Sequence, residues 1–233
     1  LGTAAAHTVT PLATKVADNG VDDFEFIGMV ANVPNVLTVH PSVPAKTLKE
    51  FIALAKSEPG KLSYASAGMG SSPHIGAETF KHAAGVELLH VPDKGGAPAV
   101  NDMVAGVAQV GFLNISAVLP FVKSNRLRAL AYGGSKRSPD MPDVPTFAEA
   151  GVANSEMGSW YSLAAPAKTP AAVVNKLAAA LQAVQSKPEF KKLLLAQNAE
   201  PMPQMKAQAA EFIKVDGKRL AELVQATGMK LQN

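Results

Sequence analysis

Short apolar runs alternate with amphipathic segments along most of this chain. From Val33 onward, each run that predicts a buried strand is followed by a polar turn and then by apolar positions at helical spacing. This alternation is typical of an α/β sheet built mainly from parallel strands, with helices packed on it. The predicted strands cover residues 35–40, 62–66, 86–91, 107–112, 127–132 and 159–165.

Capping residues mark where helices begin. Thr47 and Glu50 predict a capping box, because the threonine hydroxyl accepts from the Glu50 amide while the glutamate side chain reaches back to the cap. Ser72 followed by Pro73 is a second start, since proline lacks an amide that the first turn leaves unpaired. One predicted helix follows the cap at Thr47, and another opens at residues 169–170. The other predicted helices cover residues 72–85, 98–105, 116–123, 146–150, 189–197 and 206–227.

The pattern changes after Tyr132, where glycines, serines and prolines predict a long connection over residues 133–145. Beyond Pro166 the chain is wholly helical in pattern. We expect two lobes. Residues 1–33 and 156–233 pack together as the first lobe and residues 34–155 form the second, so that the chain crosses between lobes twice.

Composition narrows the classes of function. The 233 residues are 47% hydrophobic and 18% charged, which is enough apolar material for a sizeable core. The 22 basic and 19 acidic residues leave a net charge of only +3 and are scattered, so no nucleic-acid partner is expected. Because the chain has no cysteine, disulfides, zinc ribbons, iron–sulfur clusters and thiol nucleophiles are excluded.

The uncharged stretch 103–122 has the length of a membrane span. Gly106, Gln109 and Pro120 interrupt it, and residues 107–112 predict a buried strand, so we expect a protein that is not embedded in a membrane. The first residues carry neither the basic nor the apolar region of a signal peptide.

Three loops that follow predicted strands carry the candidate chemistry, because ligands bind outside the carboxyl ends of parallel strands. Residues 66–74 join glycines and serines to a helix N-terminus, which suits a carboxylate or phosphate, although Ser72 as a plain cap explains the same pattern. Residues 92–98 add Lys94, which either contacts an anion or is simply solvated. Asn114 either caps a helix or faces a ligand. All three loops should emerge at one edge of the sheet.

Catalytic and metal-binding interpretations have less support. Gly70 precedes the serines, which is not the order of a nucleophile elbow, and Pro73 occupies the third glycine position of a dinucleotide-binding loop. The histidines lack metal-ligand spacing, and a lone His74 in a first helical turn is more often structural than catalytic. We therefore expect no catalytic residue, no metal and no cofactor.

Motifs at these loops belong to a longer series of segments that keeps its order from end to end: 34–37, 61–68, 70–71, 74, 90–92, 94–98, 127–131, 136–139, 142–146, 160 and 165–166. Together these segments closely resemble the Bug/TctC family, the periplasmic solute receptors of tripartite tricarboxylate transporters. The resemblance implies a type II-like, two-lobed periplasmic-binding-protein fold that closes on a small di- or tricarboxylate, acidic amino acid or aromatic acid without catalysis. It also implies a periplasmic location, membrane components of the transporter as partners, and a monomer when complete.

Carried over by position, the family's ligand is held by loop amides and hydroxyls of both lobes, often through water. In the second lobe these contacts are Ser66, Ala67, Gly68, Gly70, Ser71, His74, Gly95, Gly96 and Ala97, with Asn114 and Ser116 nearby. In the first lobe Thr3 and His7 match a Gly-Thr…His segment, although Ala6 stands where a hydroxyl residue is common.

The sequence departs from the family pattern in three ways. Asp93 replaces the usual tyrosine before Lys-Gly-Gly and adds a negative charge beside the anion site. Leu113 replaces an aspartate that accepts from a ligand ammonium group, which predicts a ligand without an amine. Family members also carry, before the equivalent of Leu1, a strand and a helix with a Pro-Phe-x-x-Gly-Gly loop. We therefore expect an incomplete first lobe and weak binding unless a partner or a second copy fills the gap.

Two other functions stay open at this stage. A ligand sensor of the same fold would pass its occupancy to a signalling protein. An α/β hydrolase or transferase would need a base beside Ser71 or Ser72. The fold alone does not decide among these functions.

Overall fold

A computed structural model describes residues 1–13, 21–153 and 155–232. The chain divides into two units, one formed by Leu1–Val33 with Ser159–Asn233 and the other by Pro34–Gly158. Strands and helices alternate along the chain, and the predicted α/β fold class is confirmed.

The strands are β1 (Gly2–Thr3), β2 (Phe24–Val39), β3 (Ser63–Ser66), β4 (Leu89–Pro92), β5 (Val110–Asn114), β6 (Arg128–Tyr132), β7 (Gly158–Pro166) and β8 (Glu200–Pro201). The helices are α1 (Thr10–Ala13), α2 (Leu48–Ser57), α3 (Ser72–Ala84), α4 (Gly96–Val104), α5 (Ile115–Lys123), α6 (Ala171–Gln185), α7 (Pro188–Ala196) and α8 (Ala207–Thr227). A π-helical turn, Ala5–Val9, precedes α1.

The sheet of the unit Pro34–Gly158 has the strand order β6–β2–β5–β3–β4. β3 pairs in parallel with β4 and with β5, as the alternation predicts. β2 runs antiparallel to both of its neighbours, β5 and β6, so the sheet is mixed rather than mainly parallel. The cause is topological: α5 connects β5 to β6 as a crossover between parallel strands, and β2 lies between those two strands in the opposite direction.

The predicted strand 35–40 is only the last part of the 16-residue strand β2. Its earlier residues belong to the other unit, where Ala31 and Asn32 pair with β8, and where β1 pairs with β7. Pro34 conceals this length in the sequence, because a proline inside an apolar run argues against a continuous strand. The predicted helix 146–150 is a single turn, with Thr146 bridging Tyr132.

Each unit has its own core. In Pro34–Gly158 the aromatic rings of Phe51, Phe80 and Phe112 are fully buried between the sheet and its helices. In the other unit Trp160 packs among apolar side chains of β2 and α8, and its Nε1 donates to Asp216 at 3.0 Å. The stretch 103–122 is divided among α4, β5 and α5. Within the described ranges, no helix combines the length and apolarity needed to cross a bilayer.

Thr47 caps α2 as the sequence predicts. Its Oγ1 accepts from the Glu50 amide at 3.2 Å, and the Glu50 carboxylate accepts from the amide of Lys46, one residue earlier than the usual partner. Replacing Thr47 by alanine should lower the free energy of unfolding by about 1 kcal/mol, because it leaves a first-turn amide without its acceptor. Urea denaturation measures this loss. Thr47→Ser keeps the hydroxyl and should match the wild type, and equal losses in both variants would contradict the capping role.

Candidate functional site

Three parallel strands, β3, β4 and β5, end at the same edge of the sheet in the unit Pro34–Gly158. Each is followed closely by a helix, α3, α4 or α5, so three helix N-termini stand beside one another at that edge. The first amides of a helix have no partner within it, and the helix dipole adds partial positive charge there. This edge therefore suits a small anion, and it carries the three loops chosen from the sequence.

The first loop, residues 67–71, is folded around glycines and held by serines. Gly68 and Gly70 have φ values of 116° and 69°, which favour glycine. The Ser66 hydroxyl accepts from the Gly68 amide at 3.1 Å, and the Ser71 hydroxyl donates to the Gly68 carbonyl at 2.6 Å. Ser71 also caps α3 by accepting from the His74 amide at 3.5 Å. The hydroxyls therefore shape the loop.

The second loop is joined directly to the first. The Asp93 amide donates to the Ser66 carbonyl at 3.0 Å, and a Cβ on Gly68 would come within 3.1 Å of the Asp93 carbonyl oxygen. Gly95, with φ 123°, opens α4 without a side-chain cap. The backbone amides of Gly95 and of the first turn of α4 are therefore not covered by a capping side chain.

Asn35 ties the third loop to the first, and the sequence did not single it out as a site residue. Its side chain is fully buried within β2. Its Nδ2 donates to the Ser72 carbonyl at 3.2 Å and to the Ser72 hydroxyl at 3.0 Å, while its Oδ1 accepts from Asn114 Nδ2 at 2.7 Å. The available signal was a polar asparagine at the start of the predicted buried strand 35–40, because a buried polar group must find partners. Asn35 thus sets the spacing of the N-termini of α3 and α5.

His74 lies beneath the first loop, with only 3% of its surface exposed. Its Nδ1 accepts from the Gly70 amide at 3.0 Å. Its ring stacks on His90 with 4.3 Å between centroids, and His90 stacks in turn on Tyr64 at 4.6 Å. The structure therefore places His74 as a support of the loop rather than on its outer surface.

A buried ion pair accompanies these rings. Glu78 accepts from the Tyr64 hydroxyl at 2.7 Å and from Lys81 Nζ at 2.9 Å. Burial and the Glu78 carboxylate raise the pKa of Tyr64, so its hydroxyl stays protonated. Burial lowers the pKa of His74, and burial, with His74 second, lowers the pKa of His90 to about 4. Both imidazoles are neutral at pH 7.

The two residues where the sequence departs from the family pattern are Asp93, in the loop between β4 and α4, and Leu113, within β5. Asp93 has a buried Oδ2 with no hydrogen-bond partner among the described residues. Burial first and Asp102 second raise the pKa of Asp93 above its ordinary value. Leu113 is fully buried within β5 opposite Val36.

Among the described residues, two serine hydroxyls lie beside an imidazole. Ser66 Oγ is 2.7 Å from His90 Nε2 at the candidate site, and Ser42 Oγ is 2.7 Å from His40 Nδ1 in the turn after β2. Ser66 is fully buried, so a substrate cannot reach it. The described hydrogen bonds of the Ser71 hydroxyl run to the Gly68 carbonyl and the His74 amide, neither of which is a general base.

The structure brings together most of the residues predicted for the second lobe. Ser66, Gly70 and His74 are buried beneath the edge. The partly or fully exposed residues at the edge are Ala67, Gly68, Ser71, Gly95, Gly96, Ala97, Asn114 and Ser116.

Thr3 and His7 lie in the other unit. The Thr3 hydroxyl accepts from the Ala6 amide at 3.3 Å. His7 is 4% exposed, meets Phe24 and Phe26 edge-on with centroids 4.9 and 5.0 Å away, and lies parallel to Trp160 at 6.2 Å. The sequence motif did not reveal that the His7 ring packs within this aromatic core.

The family described as "Tripartite tricarboxylate transporter family receptor", TctC, matches residues 1–229. The chain belongs to this family. A curated TctC-like relative, Protein BugT of Bordetella pertussis, is 34% identical over 213 residues, which cover 91% of this chain and 65% of BugT. The chain therefore spans about two thirds of that relative's length, and the resemblance seen in the sequence motifs is confirmed.

Solved structures agree with this assignment. R. palustris Rpa4515 with adipate has a TM-score of 0.85 and 30% identity, over 98% of this TctC-family chain and 77% of that protein. MatC (Rpa3494) from Rhodopseudomonas palustris with bound malate has a TM-score of 0.79 and 27% identity, over 96% and 77% of the two chains. The receptor fold expected from the sequence is therefore confirmed.

Proposed function

We propose that this TctC-family chain is a periplasmic receptor that captures a small carboxylate and delivers it to the membrane components of a tripartite tricarboxylate transporter. One observation carries the proposal. Three helix N-termini and their glycine-rich loops stand at one sheet edge, joined through Asn35 and through the Ser66–Asp93 hydrogen bond. Such a set of amides and hydroxyls recognises an anion without formal positive charge.

The proposed ligand is a small dicarboxylate without an amine. The related proteins solved with adipate and with malate hold dicarboxylates, which favours this class. The proposed contacts are the amides of Ala67, Met69 and residues 95–97, together with the side chains of Asn114 and Ser116. The amides of Gly68, Gly70 and Ser71 instead donate to Ser66, His74 and Gly68 and hold the first loop in shape. Leu113 offers no acceptor for an ammonium group, which favours malate over aspartate.

We also propose capture without chemical conversion. The buried position of Ser66 and the capping role of Ser71 support binding rather than nucleophilic catalysis. Membership of a receptor family favours the same conclusion.

Thermal unfolding with added ligand tests the proposal. Adipate or malate should raise the Tm by a few degrees at saturation, because a ligand that binds only the folded state stabilises it. Adipamide, which lacks the charge, and aspartate, which adds an amine, should not. Isothermal titration calorimetry should then give one site per chain. Equal stabilisation by adipamide, or no shift with any carboxylate, would contradict the proposal.

Two substitutions on the same helix localise the site. Ala97→Glu places a carboxylate at the exposed N-terminus of α4 and should reduce the affinity for malate at least tenfold, by about 1.4 kcal/mol or more. Ala105→Glu places the same charge at the exposed far end of α4 and should bind malate as the wild type does.

A further inference from the structure

A stack of three aromatic rings lies directly beneath the first loop. Tyr64 on β3, His90 on β4 and His74 on α3 are parallel within about a dozen degrees, with interplanar angles of 11° and 7° and centroid distances of 4.6 and 4.3 Å. The outer ring of the stack is His74, which contacts the loop through the Gly70 amide. The loop therefore rests on an ionisable side chain.

The hydrogen bond between Gly70 and His74 fixes the protonation of the imidazole. A backbone amide can only donate, so the Nδ1 atom that accepts from it must carry a lone pair. A proton added at Nδ1 would set two donors against each other and remove the bond. Gly70 is buried and lies in the left-handed region, so this bond holds the tightest part of the loop.

The charged groups around the imidazoles leave no counterion for a second positive charge. From α3, Glu78 and Lys81 face the stack, and the Glu78 carboxylate already accepts from Lys81 and from the Tyr64 hydroxyl of β3. Each imidazole also faces the other, because His90 reaches across from β4. A proton on either ring would therefore add net positive charge to a largely buried cluster that is neutral without it.

We propose that the His74–His90 pair makes the anion-binding loop pH-sensitive, so that acid releases residues 67–71 and weakens carboxylate capture. The inference rests on the proposed function only for its effect on capture. The release of the loop itself does not depend on which ligand binds.

The direction of the pH effect follows from the fact that both imidazoles are neutral while the loop is folded. Burial lowers the pKa of His74 and, together with His74, lowers that of His90 to about 4. A histidine that becomes solvent-exposed when the loop is released takes up a proton near its ordinary pKa of about 6.5. The folded loop is therefore fully favoured above about pH 6.5 and loses stability as the pH falls toward about 4. At about pH 5.0, uptake of one proton by such a histidine shifts the equilibrium between folded and released loop toward release by up to about thirtyfold.

Nuclear magnetic resonance tests the release without any ligand. In the full chain, the Gly70 amide resonance should titrate below about pH 6.5, with the same midpoint as the His74 imidazole. A Gly70 resonance that stays constant while His74 titrates would overturn the inference. Because no ligand is present, this result is separate from any failure to find a carboxylate.

The ratio of malate affinities at about pH 7.5 and about pH 5.0 tests the effect on capture. His74→Asn keeps an acceptor at the Nδ1 position but does not titrate, so its ratio should be several times smaller than that of the wild type. His82→Gln, at an exposed histidine of the same helix, should keep the wild-type ratio. Protonation of malate acts equally on all three proteins and cancels in the comparison. Equal ratios for His74→Asn and the wild type would overturn the inference.

Discussion

Replacing Gly133 by alanine is expected to lower the free energy of unfolding by about 3 kcal/mol, the largest stability effect foreseen for a single methyl group in this chain. A Cβ at this position would lie 2.5 Å from the Met157 carbonyl oxygen and 2.8 Å from the Asn35 carbonyl oxygen. Both obstacles are backbone atoms, and neither can turn away as a flexible side chain would. Urea denaturation monitored by circular dichroism measures the loss.

Gly133 is so enclosed because three chain segments are bonded around it. Its amide donates to the Asn35 carbonyl at 2.8 Å, its carbonyl accepts from the Met157 amide at 3.0 Å, and the Asn35 amide donates to the Met157 carbonyl at 2.9 Å. Gly96→Ala is the matched control, since a Cβ there meets nothing within 4 Å and adds helix propensity to α4. If Gly133→Ala were no less stable than Gly96→Ala, the described packing of these three segments would be wrong.

Replacing Asn35 by alanine should reduce malate affinity at least tenfold and lower the free energy of unfolding by about 2 kcal/mol. The substitution removes the donor to the Ser72 carbonyl and the acceptor for Asn114, so buried polar groups lose their partners. Asn35 then no longer holds the N-termini of α3 and α5 at a fixed spacing, so the amides proposed to bind the anion are no longer positioned for it. Calorimetric titration with malate and urea denaturation measure the two effects.

The control for Asn35 is Asn101→Ala, on the exposed surface of α4. It removes the same atoms from a position that the solvent already reaches, so both affinity and stability should stay at wild-type values. A loss of stability in Asn35→Ala with unchanged malate affinity would show that the asparagine supports the sheet but not the site.

Local signals in the sequence predicted the elements of this fold closely. The Ser72-Pro73 signal places the start of α3 within one residue, since the observed cap is Ser71 and the helix begins at Ser72. The apolar runs identify β3 and β6. What local signals cannot provide is pairing direction, because the hydrophobic pattern of a strand is the same whichever way its neighbour runs. The antiparallel placement of β2 and the strand continuing through Pro34 depend on contacts far apart in the chain.

For the candidate site, local signals likewise predicted the position of the loops but not the contacts between them. Glycines and serines after β3 indicated a loop at a helix N-terminus, and the parallel pairing of β3, β4 and β5 brings the three chosen loops to one edge. The roles of individual side chains were not predictable. Asn35 and His90 act on loops that follow other strands, and only the folded chain shows that their polar atoms are 2.7 Å from Asn114 and Ser66.

The continuous strand β2 contributes residues to both units. Its early residues Phe26 and Met29 are buried in one core, and its later residues Leu37 and Val39 are buried in the other. A cut between Val33 and Pro34 would leave each half of the strand to fray from a free end. Neither unit can therefore be excised by severing a flexible linker there, and loss of either core would weaken a strand on which the other sheet is built.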